Sequence, residues 1–443
     1  MKACFLRHAL ALAALATFSL RADDWPQWLG PQRDDVWRET GILEKFPAEG
    51  PKVRWRTPIG AGYTGPAVAN GRVYVMDRQL APGASNPSNP FARGEIPGSE
   101  RALCLDEASG KILWKHEYDC PYAVSYPAGP RATPTVNDGK VYTLGTEGNL
   151  ICLDTEKGKV IWSHELTKDY KTKTPMWGFA GHPLIDGKKL ICLVGGEGSV
   201  AVAFDKDTGK ELWRALSAKE PGYAPPMIYE FAGKRQLIIW HPEAVNALDP
   251  ETGNVIWTYP LAPSVRSGMA IPSPRKSGDL LFLTSFYNGS LMLRVDSDKP
   301  SLVWQSKKVS EIDTDGLHSV MSTPVLENGY IYGSCSYGQF RCLKAGTGER
   351  VWETFEPTTG KSERWGNAFI VKNGDRYFLF NEKGDLIIAK LTLEKYEEIS
   401  RAHLLEPTNT DPGRPVVWSH PAFANQCVYA RNDKEIVCVS LAK

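Results

Sequence analysis

Ten residues of this chain carry side chains suited to gripping a ligand: Arg131, Trp177, His182, His241, Glu243, Arg266, His318, Trp365, Trp418 and His420. An arginine offers paired N–H donors to a carboxylate, and a tryptophan offers a flat face to a ring. Such a set suits a carboxylate-bearing, sugar-like or peptide ligand, with Glu147, Glu197 and Arg414 as polar neighbours. Plainer roles compete. Gly181-His182-Pro183 and Ser419-His420-Pro421 also fit the start of a strand, and His241-Pro242-Glu243 reads equally as a loop-stabilising pair. His182, His318 and His420 are enough for a metal in number, but no local ligand spacing supports one. There is no G-x-S-x-G, H-E-x-x-H or phosphate loop, which closes the commonest hydrolase routes, and no residue is assigned a catalytic role.

What would position these residues is a repeat. Asp106-Glu-Ala-Ser-Gly110-Lys-Ile-Leu-Trp114 recurs as Asp154…Gly158…Trp162, Asp205…Gly209…Trp213 and Asp249…Gly253…Trp257. Weaker copies end at Trp304 and Trp352, and a copy without its tryptophan falls near Ile399. Steps of 48, 51, 44, 47 and 48 residues separate Trp114 from Trp352. A hairpin signal precedes each copy: two short apolar runs around Asn70-Gly71, Asp138-Gly139, Asp186-Gly187, Ala232-Gly233, Ser277-Gly278, Asn328-Gly329, Asn373-Gly374 or Ala424-Asn425. Asn-Gly and Asp-Gly suit a two-residue turn because both central residues must reach positive φ. Each unit therefore reads as four strands, A to D, with the tryptophan on D packing between units, so Trp114, Trp162, Trp213 and Trp257 are structural. Four strands every 40–50 residues describe an all-β, eight-bladed β-propeller of four-stranded antiparallel blades. The last unit stops after its third strand, Glu435–Ser440, whereas Val53-Arg-Trp55-Arg has D-strand character but no hairpin before it. The N-terminal strand is expected to complete the last blade and shut the ring.

In such blades the A–B and C–D turns share one face and the B–C and D–A loops the other. Every long connection falls on the second face, including Gln79–Glu100, Cys120–Arg131, Tyr170–His182, Pro260–Ser273, Val309–Ser322, Thr358–Asn367 and Glu406–His420. Long loops on one face of a rigid scaffold are the usual home of a binding site. Most of the candidate residues lie just before or within A strands, and Glu147, Glu197, His241 and Glu243 lie in B–C loops. They could line a central funnel.

Met1–Ala22 reads as an export signal: a basic start, a 12-residue apolar run at Ala9–Leu20, then Ala22 before two aspartates. Residues 23–52 form a lead segment and 53–443 the propeller. No later run approaches the ~20 apolar residues of a membrane-spanning helix, and Cys4 precedes the apolar run, so no lipid-anchor motif is present. The protein is expected to be periplasmic or secreted, and monomeric. Without Lys2, Arg7 and Arg21, 49 basic residues face 51 acidic ones, and no basic cluster points to nucleic acid. Eight cysteines remain. Cys104, Cys152, Cys342 and Cys438 sit in apolar strand contexts, where a thiol behaves as a small hydrophobe, so most are expected free and buried.

The repeat resembles the PQQ-like β-propeller family, whose tryptophan-docking motif reads A-x-D-x-x-T-G-K-x-x-W. Cys104, Cys152, Ala203, Ala247, Arg294 and Cys342 would take its first position, and Lys344 stands where the aspartate belongs. Trp25-Pro-Gln-Trp-Leu-Gly-Pro-Gln-Arg33 through Gly60-Ala-Gly-Tyr63 looks like the lead of exported members. The family includes quinoprotein dehydrogenases and the outer-membrane assembly lipoprotein BamB, so the resemblance implies the fold strongly and the function weakly. The leading expectation is a binding or scaffold propeller for a protein, peptide or small molecule, with no cofactor. One alternative is a PQQ- and Ca²⁺-dependent alcohol or sugar dehydrogenase. Such enzymes stack the quinone between a tryptophan and, in many members, a disulfide of adjacent cysteines. This chain lacks a Cys-Cys pair; Trp177 or Trp365 would have to stack the quinone, and Glu147 or Glu197 hold calcium. A second alternative is a glycan-binding protein, favoured by funnel tryptophans.

Overall fold

The computed structural model describes residues 23–261, 269–411 and 413–443. Met1–Ala22 and Arg266 lie outside them.

Eight four-stranded antiparallel sheets form the ring. The first blade runs Ala67–Ala69, Arg72–Leu80, Gly98–Asp106 and Ile112–Asp119, and the following six repeat the order inner to outer. In the eighth blade Ala422–Ala424, Cys427–Arg431 and Glu435–Ser440 are joined by Val53–Pro58 from the start of the chain. Trp55 sits opposite Cys438 and Arg56 opposite Val437. The ring closes as the strand count requires. Closure pairs the edges that an open array would expose. The described cysteines are all free and buried. No described helix is long and apolar enough to cross a membrane.

One irregularity recurs in every blade and explains the motif. The C–D pairing slips by one residue just before the tryptophan, at Cys104/Leu105, Cys152/Leu153, Ala203/Phe204 and their equivalents. This bulge turns the indole off the strand, with a small residue opposite it: Cys104 faces Trp114, Cys152 faces Trp162, Ala203 faces Trp213. Five of the indoles then lie over the turn glycine of the next copy, as Trp114 does over Gly158 (φ +67°), where a Cβ would collide with the ring. The fifth blade departs from the expected alignment. Met292, not Arg294, faces Trp304. This hairpin lacks the glycine and closes tightly between Val295 and Pro300, so strand pairing runs two residues further and Arg294 points out to meet Asp279.

Candidate functional site

The sequence placed residues 23–52 before the ring; the structure threads part of them through its axis. Asp24 accepts from the amide of Asn70 at an A–B turn. Trp25 then bridges to Val68, an inner strand of the first blade. The chain turns over at Leu29–Gly30 and returns to pair Val36 with Lys372 of the seventh blade. The turn is tight: Leu29, Gly30, Arg33 and Asp35 all have positive φ, and the Trp25 ring packs where a Cβ of Gly30 would lie.

The returning limb is fixed by polar contacts. Arg33, fully buried, donates to the carbonyls of Pro183 (3.1 Å), His182 (3.3 Å) and Pro226 (3.3 Å), tying the third and fourth blades together. Burial lowers its pKa to about 10. Trp28 Nε1 donates to Ser273 Oγ in the fifth blade (3.0 Å), and Arg275 reaches the Asp34 carbonyl. Asp35 Oδ1 lies 3.1 Å from His420 Nε2 in the eighth, close but not aligned as a hydrogen bond. The segment is thus an axial plug, inserted from the tight-turn face.

Above it, on the long-loop face, lies a blind funnel of about 260 Å³. Its floor is Trp28 stacked on His182, ring centroids 3.8 Å apart and nearly parallel, with His420 at 4.8 Å. Thr133 N–H donates to His182 Nδ1 (2.8 Å), so that nitrogen carries no proton in this arrangement. Burial first, then Arg33 and His420, hold the imidazole pKa well below the usual histidine value. The walls are aromatic. Tyr126 packs edge-on to Trp365 (6.0 Å), Trp365 lies 6.5 Å from Trp418, and Trp177 packs edge-on to Tyr223 (5.5 Å). No Asp, Glu or Lys is among the described residues that line the funnel.

The two described arginines that reach it are engaged. Arg131 donates to the carbonyls of Ser125, Tyr126 and Gly129 and to Thr146 Oγ1, which uses its fork. Arg364 is held by Glu311 (3.0 and 3.1 Å) and lies 4.3 Å over the Trp365 ring. Behind the wall, Arg414 bridges Glu382 and Asp411, each at 2.8 Å. The same acids take Trp418 Nε1 (3.4 Å) and Tyr126 Oη (3.1 Å), so one buried ion cluster locks two wall rings. Tyr126 (φ +54°) and Trp365 (φ +59°) both hold the left-handed backbone conformation, costly for bulky residues and concentrated where a structure over-determines its loops.

Of the ten singled-out residues, Arg131, Trp177, His182, Trp365, Trp418 and His420 line this one cavity. Three others are elsewhere. His241 ends a B strand and its Nδ1 accepts from Glu243 N–H (3.3 Å), while Glu243 accepts from the amide of Lys219 (3.0 Å); the pair braces loops. Buried His318 meets the Phe286 carbonyl (3.3 Å) and Asp315 (3.5 Å). Glu147 pins the Ala123 amide (3.0 Å) and Thr174 (2.6 Å). Among the described residues no three His, Cys, Asp or Glu gather as a metal site. The residue reading missed Trp28, Tyr63, Phe91, Tyr126 and Tyr223. The signal available was spacing: Trp25 and Trp28 fall outside the 44–51-residue period and so had no blade to dock.

Comparison with known proteins places this architecture. A protein 28% identical over 179 residues, 38% of this chain and 43% of its own length, is the outer membrane protein assembly factor BamB of Burkholderia pseudomallei (strain K96243). The chain thus spans under half of that relative. The solved structure of BamB from Moraxella catarrhalis shares the fold at TM-score 0.53 and 16% identity, covering 87% of this chain and 98% of that one. The quinohemoprotein alcohol dehydrogenase from Comamonas testosteroni does so at TM-score 0.61 and 14%, covering 95% and 81%. The family model described as outer membrane protein assembly factor BamB matches residues 98–354, more than half the chain, and the protein belongs to that PQQ-like propeller family.

Proposed function

We propose that this chain is an exported docking propeller of the cell envelope that receives a partner protein on the face of the B–C and D–A loops. In this reading residues 1–22 direct export, 23–52 include the plug and 53–443 form the ring. The carrying observation is asymmetry along the axis: the plug fills one end, and the other opens as an aromatic funnel. Around its mouth Phe91, Val309 and Ile312 stand 40%, 64% and 68% exposed. Large apolar side chains left exposed beside an apolar pocket point to an interaction site. The family supports the direction, since its description is that of an assembly factor.

A quinone dehydrogenase fits these residues poorly. The quinone is a tricarboxylate, yet the N–H groups of Arg131 are spent on its own loops, and Arg364 is paired with Glu311. Glu147 is a loop staple and Glu197 stands exposed. Photo-crosslinking tests the docking face. Benzoylphenylalanine at Phe91 or Ile312 is expected to give a discrete partner adduct in the envelope, and the same group at Asp138 or Lys157, on the tight-turn face, none. Adducts confined to the tight-turn positions would sink the assignment.

A further inference from the structure

We infer that the funnel is a socket for a single uncharged aromatic side chain presented by the partner, an inference that rests on the docking face proposed above. Three observations select that chemistry. First, the described lining holds no acid and no lysine, and both of its arginines are committed, so a carboxylate or ammonium would enter without a counter-charge from these residues and lose its hydration. Second, the walls present ring edges and faces at steep angles (60–64°), the arrangement that accepts another ring edge-to-face. Third, Trp365, 8% exposed, keeps its indole N–H buried without an acceptor. A donor left unsatisfied in an apolar wall is worth pairing. A peptide carbonyl beside the inserted ring is an acceptor that a small turn of the indole would meet.

The partner is a protein, not a free ring, because of the mouth. Phe91 belongs both to the exposed rim and to the wall, packing edge-on to Tyr126 (5.2 Å) and Trp365 (5.8 Å). Val309 and Ile312 flank Glu311, which holds Arg364 at the lip. A deep aromatic pocket with exposed apolar side chains at its mouth is the geometry of an interface anchor.

Blocked amino acids mimic the anchor. Saturation-transfer NMR on the full mature chain is read with the N-acetyl amides of phenylalanine, tyrosine, leucine, glutamate and lysine. The aromatic amides are expected to bind at least tenfold more tightly than the glutamate and lysine amides, with leucine between. Trp177→Ala and Phe91→Ala, each partly exposed and neither a member of the ion cluster, are expected to weaken aromatic binding at least fivefold with an unchanged circular dichroism spectrum. Charged amides binding as well as aromatic ones, no binding at all, or binding indifferent to both variants overturns the socket. Silence of the amides beside intact crosslinks from Phe91 overturns only the socket and leaves the docking face standing. Aromatic binding with no crosslink from that face overturns the partner anchor.

Discussion

The molecule has two populations of tryptophan, and they are built on opposite terms. Those of the ring are satisfied. Trp55, Trp114, Trp162, Trp304 and Trp352 each donate the indole N–H to a backbone carbonyl of the next blade, at 2.6–3.0 Å, and Trp213 does so at 3.3 Å. Those of the axis are not all so. Trp37 and Trp365 bury an N–H with no acceptor, and Trp365 also carries a left-handed backbone. The ring repeats one solved packing problem, whereas the axis is assembled once, from loops of different length, and retains unsatisfied groups. Unsatisfied groups and backbone strain of this kind cluster where proteins bind.

The contrast is sharpest under deletion. Trp114→Ala removes a ring held between two blades and is expected to cost about 4 kcal/mol, read as a shift of the denaturant midpoint. Trp177→Ala, at a partly exposed position of the funnel wall, is expected to cost less than half of that. Equal losses at the two sites would break the distinction between ring and axis.

Arg33→Ala tests whether the plug belongs to the fold. Removing the guanidinium leaves three buried carbonyls from two blades without their donor, so a loss of about 3 kcal/mol is expected. A loss below about 1 kcal/mol would mean that the plug only occupies the axis and does not brace it.

The floor of the funnel makes the axis pH-sensitive. The folded protein holds His182 neutral, and the unfolded chain titrates near pH 6.5. Below that pH the unfolded state binds the extra proton, so stability rises with pH. His182 therefore contributes fully above about pH 6.5, and its contribution falls as the pH drops towards the lowered folded value. The limiting slope is about 1.4 kcal/mol per pH unit. His182→Asn, whose amide oxygen can still accept from Thr133, is expected to be less stable at neutral pH and to lose this component of the slope between pH 6.5 and 5. A mutant with the parent slope would assign the acid sensitivity elsewhere.

These tests fall where the sequence was most and least readable. The ring was legible because its determinants are local and repeated: a hairpin turn recurs eight times, and an aspartate, a glycine and a tryptophan at fixed spacing follow it in full four times and in part elsewhere. Even the missing D strand pointed to Val53–Pro58. The fifth blade misled because spacing was kept while the turn glycine was lost, and a tighter hairpin moved the register by two residues. The funnel was half legible. Loop-face residues next to A strands converge, which gathered six of the ten candidates. Their roles were not legible, because whether Arg131 faces a ligand or its own loop depends on carbonyls of Ser125, Tyr126 and Gly129 that spacing does not place. The plug was least visible. Trp28, Arg33 and Asp35 touch partners about 150 to 390 residues away, and no local pattern carries such contacts.

The smallest expected effect separates the two tryptophan classes most cleanly. Trp162→Phe keeps a ring in place but deletes the donor to the Lys206 carbonyl (3.0 Å), which is left with the Tyr142 hydroxyl alone (3.1 Å). A net hydrogen bond of this kind is worth about 1 kcal/mol, so the variant should lose about that much. Trp365→Phe deletes an N–H that has no partner to strand. The loss of indole packing is offset by removal of an unsatisfied buried donor, and the change should stay within about 0.5 kcal/mol of zero. Paired denaturation curves settle the comparison, since both substitutions remove the same atoms. If Trp365→Phe costs as much as Trp162→Phe, the axial N–H has an acceptor in solution, and the argument that the funnel wall holds a donor in reserve for a partner's carbonyl falls with it.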